Sequence, residues 1–134
     1  MFKTYIPSEG GMITGIQDFY YNVKDMKKSV QFYSEILGFK IAHEDNYWTS
    51  LQLGGVSVGL HWTEGEDVYQ IPRDAHGAHG GGTLTLKSTN AFEDKEILQK
   101  KGVKILGTAD APWGKMVVFE DLDGNVLKLM EPKH

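Results

Sequence analysis

Few side chains in this chain of 134 residues are equipped for chemistry. It has five histidines and no cysteine. The missing cysteines exclude a disulfide framework, thiolate catalysis and any Cys-based zinc or iron–sulfur centre. His76 and His79, in HGAHGG, sit on a Gly-rich stretch that holds no ligand rigidly, and a flexible linker explains them better. His43 and His134 read as a turn residue and a chain end. Gly55-Val-Ser-Val-Gly59 has the spacing of a GxSxG nucleophile elbow, which needs a strand-to-helix turn. Here it lies inside an alternating strand, so Ser57 only lines a sheet. Gly80-Gly81-Gly82 is neither a phosphate loop nor a dinucleotide fingerprint. Asp121 and Asp123 flank a tight turn, and turn chemistry explains them better than acid–base catalysis. Trp48, Trp62 and Trp113 are each best read as packing residues. Together with Tyr20 they could instead wall a site for a planar or cationic ligand.

The elements that would position these groups come in two similar sets. Ile13–Val23 is strand-like, Asp25 is a helix N-cap, and Val30, Tyr33 and Leu37 recur at helical spacing up to Gly38. Phe39–Ala42, Tyr47–Leu53 and Val56–Trp62 follow as strands, with turns at Asp45-Asn46 and Gly54-Gly55. The order then repeats. Thr83–Lys87 is a strand, Asn90 and Glu93 form a capping box, and a helix carrying Ile97 and Leu98 runs to Gly102. Val103–Leu106, Lys115–Glu120 and Asn125–Glu131 are strands, and Asp123-Gly124 is the last turn. Gly38-Phe-Lys-Ile and Gly102-Val-Lys-Ile mark the same point in each half. The expected organisation is an N-terminal arm over 1–11 and one domain over 12–134. That domain comprises a first module at 12–62, a linker at 63–80 and a second module at 81–132.

Alternation along the strands sorts their residues onto two faces. Phe19, Tyr21, Val23, Leu51, Leu53, Val56, Val58, Leu60, Leu84, Leu86, Leu127 and Leu129 form an apolar face for two helices to cover. The opposite face carries Asp18, Tyr20, Asn22, Trp48, Ser50, Gln52, Ser57, Gly59, His61, Thr83, Thr85 and Lys128. It is polar, mostly uncharged and aromatic, as expected of a sheet curled around a ligand cavity or of a dimer interface. A net charge of −4, from 14 basic and 18 acidic residues, argues against nucleic-acid binding. No apolar run approaches the ~20 residues of a membrane span, and no signal peptide is visible, so a cytoplasmic location is expected. The long linker, with Glu64, Glu66, Asp67 and Asp74, could cover the cavity and suit a cationic ligand. Ordinary surface acidity explains the same residues.

Ile16–Phe39 (IQDFYYNVKDMKKSVQFYSEILGF) resembles the opening module of the vicinal oxygen chelate superfamily of glyoxalases, extradiol dioxygenases, fosfomycin-resistance transferases and bleomycin-resistance proteins. Pro112–Pro132 (PWGKMVVFEDLDGNVLKLMEP) resembles its closing hairpin, with Leu122 where proline is usual. The resemblance implies an α+β fold: two βαβββ modules forming a curved, mostly antiparallel eight-stranded sheet around a cavity, helices outside. Metal enzymes of this group place ligands on the first and last strand of each module. Those positions fall on Asp18, Gly59, Gly81 (or Thr83) and Lys128. Only Asp18 could ligate a divalent cation as it stands, and Lys128 would pair with Asp18. The expectation is therefore a homodimer without a cofactor or catalytic residue, a binding protein that sequesters a toxic or antibiotic compound. Tyr20, Trp48 and Trp113 would contact the ligand's rings, and Asp18, Gln52, His61 and Lys128 its polar groups. The alternative is a lyase, isomerase or dioxygenase holding iron, manganese, nickel or zinc on a rearranged triad of Asp18, His61 and His79. A metal-free enzyme could instead use Asp18 and Lys128 for proton transfer.

Overall fold

A computed structural model describes residues 12–73 and 79–133. The expected arm over 1–11, Asp74, His76 and His134 lie outside the described residues. The first module comprises β1 (Phe19–Val23), α1 (Met26–Gln31), β2 (Lys40–Glu44), β3 (Trp48–Leu53) and β4 (Val56–Trp62). The second comprises β5 (Leu84–Lys87), α2 (Ala91–Lys100), β6 (Lys104–Ala111), β7 (Gly114–Glu120) and β8 (Val126–Pro132). The eight strands form two four-stranded mixed sheets, in the orders β1-β4-β3-β2 and β5-β8-β7-β6. This is the α+β arrangement of two βαβββ modules. Among the described residues, no helix is long and apolar enough to cross a membrane.

Local chemistry sets the helix ends. The side chain of Asp25 accepts from Lys28 N, and that of Asn90 from Glu93 N. Gly38 and Gly102 close the two helical segments at φ 85° and 86°, a region that favours glycine. The first helix widens into a π turn over Phe32–Ile36, where Leu37 N donates to Phe32 O. Ser34 also donates from its hydroxyl to Val30 O. The wide turn sends both Phe32 and Tyr33 inward.

Two boundaries and one pair of core positions differ from the sequence expectation. Residues 13–18 form no strand, because β1 finds its partner only from Phe19, opposite Val58. Ile13 and Ile16 are left 77% and 92% exposed. The strand expected to end at Leu106 runs on to Ala111, sustained by its pairing with β7. Leu53 and Val56, expected in the core, flank the β3–β4 turn and are partly exposed.

The rest of the apolar face is inward. Tyr21, Val23, Tyr33, Leu51, Leu60, Phe119 and Leu127 are buried in one cluster that joins both modules. Each such side chain stabilises the fold by about 1.5–3 kcal/mol relative to its exposed state. Polar contacts lock the modules together at the β7–β8 turn. Asp121 accepts from the Tyr33 hydroxyl at 2.7 Å and from the backbone N–H groups of Asp123 and Asn125. The Tyr21 hydroxyl donates to Val126 O at 2.8 Å and accepts from Leu84 N. Burial pushes the Asp121 carboxyl above the usual carboxylate range, against the pull of these hydrogen bonds. Burial likewise raises the Tyr21 phenol to about 12.

Candidate functional site

Strand register assembles an aromatic cluster on the face of sheet one that points away from α1. The parallel β1–β4 pair sets Tyr20 opposite Gly59 and Asn22 opposite His61. The antiparallel β3–β4 pair sets Trp48 opposite His61 and Ser50 opposite Gly59. Ring centroids of Tyr20 and Trp48 are 5.3 Å apart, and those of Tyr20 and His61 are 6.0 Å apart. Gly59 is buried beneath this cluster: a Cβ built there would run into the six-membered ring of the Trp48 indole. The indole lies over a glycine that makes room for it. Its Nε1–H donates to Ser50 Oγ at 2.9 Å, fixing the ring. His61 Nδ1 lies 3.0 Å from Asn22 Oδ1.

The expected ligand-binding residues divide between two surfaces. Asp18 precedes Tyr20 by two residues, about 7 Å along the chain, and is half-buried. Gln52 lies on β3 opposite Ser57, four residues beyond Trp48. Lys128 is on sheet two, opposite Thr85 and Val118. Trp113 occupies the β6–β7 turn and is 52% exposed. The expected Asp18–Lys128 ion pair is not formed, the two residues lying at separate sheets.

The members of the alternative triad are also apart. His61 is level with Asn22, four residues or about 13 Å along from Asp18. His79 turns to its own loop, with Nδ1 2.7 Å from Gly80 O and Nε2 3.3 Å from Thr83 Oγ1. Among the described residues, no group of three or more His, Asp or Glu side chains is placed to hold a metal ion.

A cavity of about 250 Å³ adjoins the aromatic cluster where the linker crosses the seam between modules. Tyr20, Asn22, Gln70, Arg73, His79 and Asn125 are among its lining residues. Arg73 anchors the linker through Glu120 at 3.0 Å, and Gln70 donates to Asp123 O. Among the described residues, the linker's acids do not line this cavity: Glu64 and Glu66 are exposed, and Asp67 pairs with Lys24 at 2.7 Å. The role of Arg73 had no sequence signal beyond the length of the linker. The seat at Gly59 had one: a glycine inside a strand pattern marks close approach.

Two βαβββ modules with open sheet faces define a class, and the sequence places the chain within it. The chain belongs to the Glyoxalase/Bleomycin resistance protein/Dioxygenase superfamily, whose model matches residues 15–129. It is 34% identical over 121 residues to the metallothiol transferase FosB of Staphylococcus epidermidis, covering 88% of this chain and 84% of that one. The crystal structure of TnmS3, an antibiotic-binding protein from Streptomyces sp. CB03234, is similar at TM-score 0.66 and 27% identity, covering 91% and 98% of the two chains. FosX of Listeria monocytogenes, a fosfomycin resistance protein crystallised with manganese(II) and sulfate, shares the fold at TM-score 0.72 and 17% identity over 91% and 93%.

These relatives correct the expectation that the chain takes no cofactor: FosB is named for a metal, and the FosX structure holds one. The residues at the family's four ligand positions nevertheless do not make a matching site in this chain. Tyr20 faces Gly59 as Thr85 faces Lys128, so the position equivalent to Asp18 is Thr83. Asp18 offers one carboxylate, Gly59 is covered by an indole, Thr83 offers a hydroxyl and Lys128 an ammonium. That set contains one good ligand for a divalent cation and one group that repels it.

Proposed function

We propose that this protein recognises a small organic molecule of the antibiotic type on the open face of sheet one. The observation that carries this reading is the Trp48 indole, fixed over Gly59 and flanked by Tyr20 and His61, a ready surface for ring stacking. Asp18, Gln52 and His61 supply polar contacts along the same face. Lys128 and Trp113 complete the site from sheet two in a homodimer. The exposed Ile13 and Ile16, just ahead of β1, give that dimer apolar surface to bury. The antibiotic-binding role of TnmS3 supports this reading.

The test is quenching of tryptophan fluorescence by aromatic antibiotics, including bleomycin, with light scattering to give the mass in solution. Saturable quenching that weakens in Trp48→Phe and Tyr20→Ala supports the reading; quenching unchanged in both variants refutes it.

The second reading is a metal-dependent enzyme that modifies such a molecule, favoured by the one-third identity to metallothiol transferases. Its side chains would be Asp18, His61 and His79, brought together by a rearrangement. Manganese, iron, nickel or zinc retained in stoichiometric amount, lost in His61→Ala and accompanied by thiol consumption would establish it.

A further inference from the structure

Sheet two presents a different face from sheet one. Its register sets Thr85 beside Lys128, Lys87 beside Met130 and Lys104 opposite Glu120, so three lysines and one glutamate share the side away from α2. The glutamate is already engaged, by Arg73 at 3.0 Å and Lys104 at 3.6 Å. Four cationic groups thus face one carboxylate, in a chain whose net charge is −4. Lys87 and Lys104 are exposed and solvated. Lys128 is half-buried in mid-sheet beside the buried Val118, and among the described residues no hydrogen bond or ion pair engages it. No side chain among the described residues supplies a counter-charge to its ammonium, which leaves a place for an anion.

We propose that Lys128 anchors an anion subsite on the open face of sheet two, taking the carboxylate, phosphate or phosphonate group of a small molecule. The Thr85 hydroxyl supplies a second donor there. The proposal rests on the reading that the chain binds a small organic molecule, and it adds that the molecule carries negative charge. The first module cannot do the same, because Gly59, the counterpart of Lys128, is given over to the Trp48 indole. The two faces therefore divide the work, one for rings and one for charge.

The experiment is a titration of the full chain with methylphosphonate, followed by the backbone amide resonances. Its uncharged dimethyl ester is the control. Saturable shifts at Thr85, Val118 and Lys128 with methylphosphonate, absent with the ester, are expected. Affinity should fall with added salt. It should fall at least about tenfold in Lys128→Met and be kept in Lys128→Arg, as expected when a charged hydrogen bond is lost and restored. Equal shifts with the ester, shifts unchanged in Lys128→Met, shifts centred on Lys87 or Lys104, or no shifts at all would overturn the proposal. Quenching of tryptophan fluorescence by 2-naphthol tests the aromatic face separately. Quenching without a phosphonate response removes the anion subsite alone; a phosphonate response without quenching removes the aromatic-face reading alone.

Discussion

Replacing Gly59 with alanine should disturb the site through one identifiable contact. The new methyl group enters the volume held by the Trp48 ring, so the ring must leave. Leaving breaks the hydrogen bond to Ser50 Oγ and the edge-on contact with Tyr20. A net hydrogen bond is worth about 1 kcal/mol and an aromatic pair about 0.5–1.5 kcal/mol. Their sum agrees with the roughly 1–3 kcal/mol of overpacking in a filled site. Gly59→Ala should therefore cost about 1–3 kcal/mol, with the unfolding slope unchanged. In a Trp48→Ala background the same substitution meets open space. It should then be neutral or stabilise slightly, since alanine restricts the unfolded chain more than glycine does. The assay is a double-mutant cycle in urea, followed by far-ultraviolet circular dichroism so that loss of a tryptophan does not distort the signal. A coupling energy above about 1 kcal/mol is expected for residues in contact. Additivity within about 0.5 kcal/mol would refute the claim that the indole sits over Gly59.

Three further perturbations test the seam between modules. Tyr33→Phe removes a donor from the buried Asp121 and should destabilise by about 1–3 kcal/mol in urea unfolding; a change below about 0.5 kcal/mol would mean that Asp121 does not need the phenol. Burial raises the Asp121 carboxyl, so its folded pKa exceeds its unfolded one, and protonation favours the folded state. That contribution is complete below about pH 3.9 and is lost as pH rises through the folded value. The stability difference between the wild type and Asp121→Asn should accordingly decline as pH rises through that window, and a difference that grows would contradict the assignment. Arg73→Gln frees the linker from Glu120 and should speed cleavage within it during limited proteolysis, whereas an unchanged cleavage rate would show that this ion pair does not hold it.

The two-module fold was legible because two periodicities repeat in the same order, and because Gly38 and Gly102 close equivalent helices. Core positions such as Tyr21, Leu51, Leu60 and Leu127 followed from alternation alone. The start of β1 did not, since a strand needs a partner and residues 13–18 have none among the described residues. The π turn was hidden for a related reason. Val30, Tyr33 and Leu37 fit an ordinary helix, and only three-dimensional packing shows that Phe32 and Tyr33 both turn inward. At the site, alternation correctly grouped Tyr20, Trp48 and His61 on one face. It could not show that Lys128 shares that parity on a different sheet, because parity fixes a side and not a neighbour.

The departures from the repeat are where the site acquires its character. A strict duplication would leave equivalent residues at equivalent strand positions, and the core approximates this, with Val58 and Leu60 matched by Leu127 and Leu129. On the open faces the copies have diverged: Asp18 against Thr83, Tyr20 against Thr85, and Gly59 against Lys128. Core positions face one requirement in both modules, to fill volume without polar atoms, and so stay alike. Open-face positions meet whatever the site holds. The glycine makes sense only with the Trp48 ring over it, since without the indole it leaves a bare patch of backbone in mid-strand. The lysine has no counter-charge among the described residues, and the proposed anion would supply one. Both departures fall at equivalent points in the two modules, which is the arrangement the proposed ligand, presenting both a ring and a negative charge, would require.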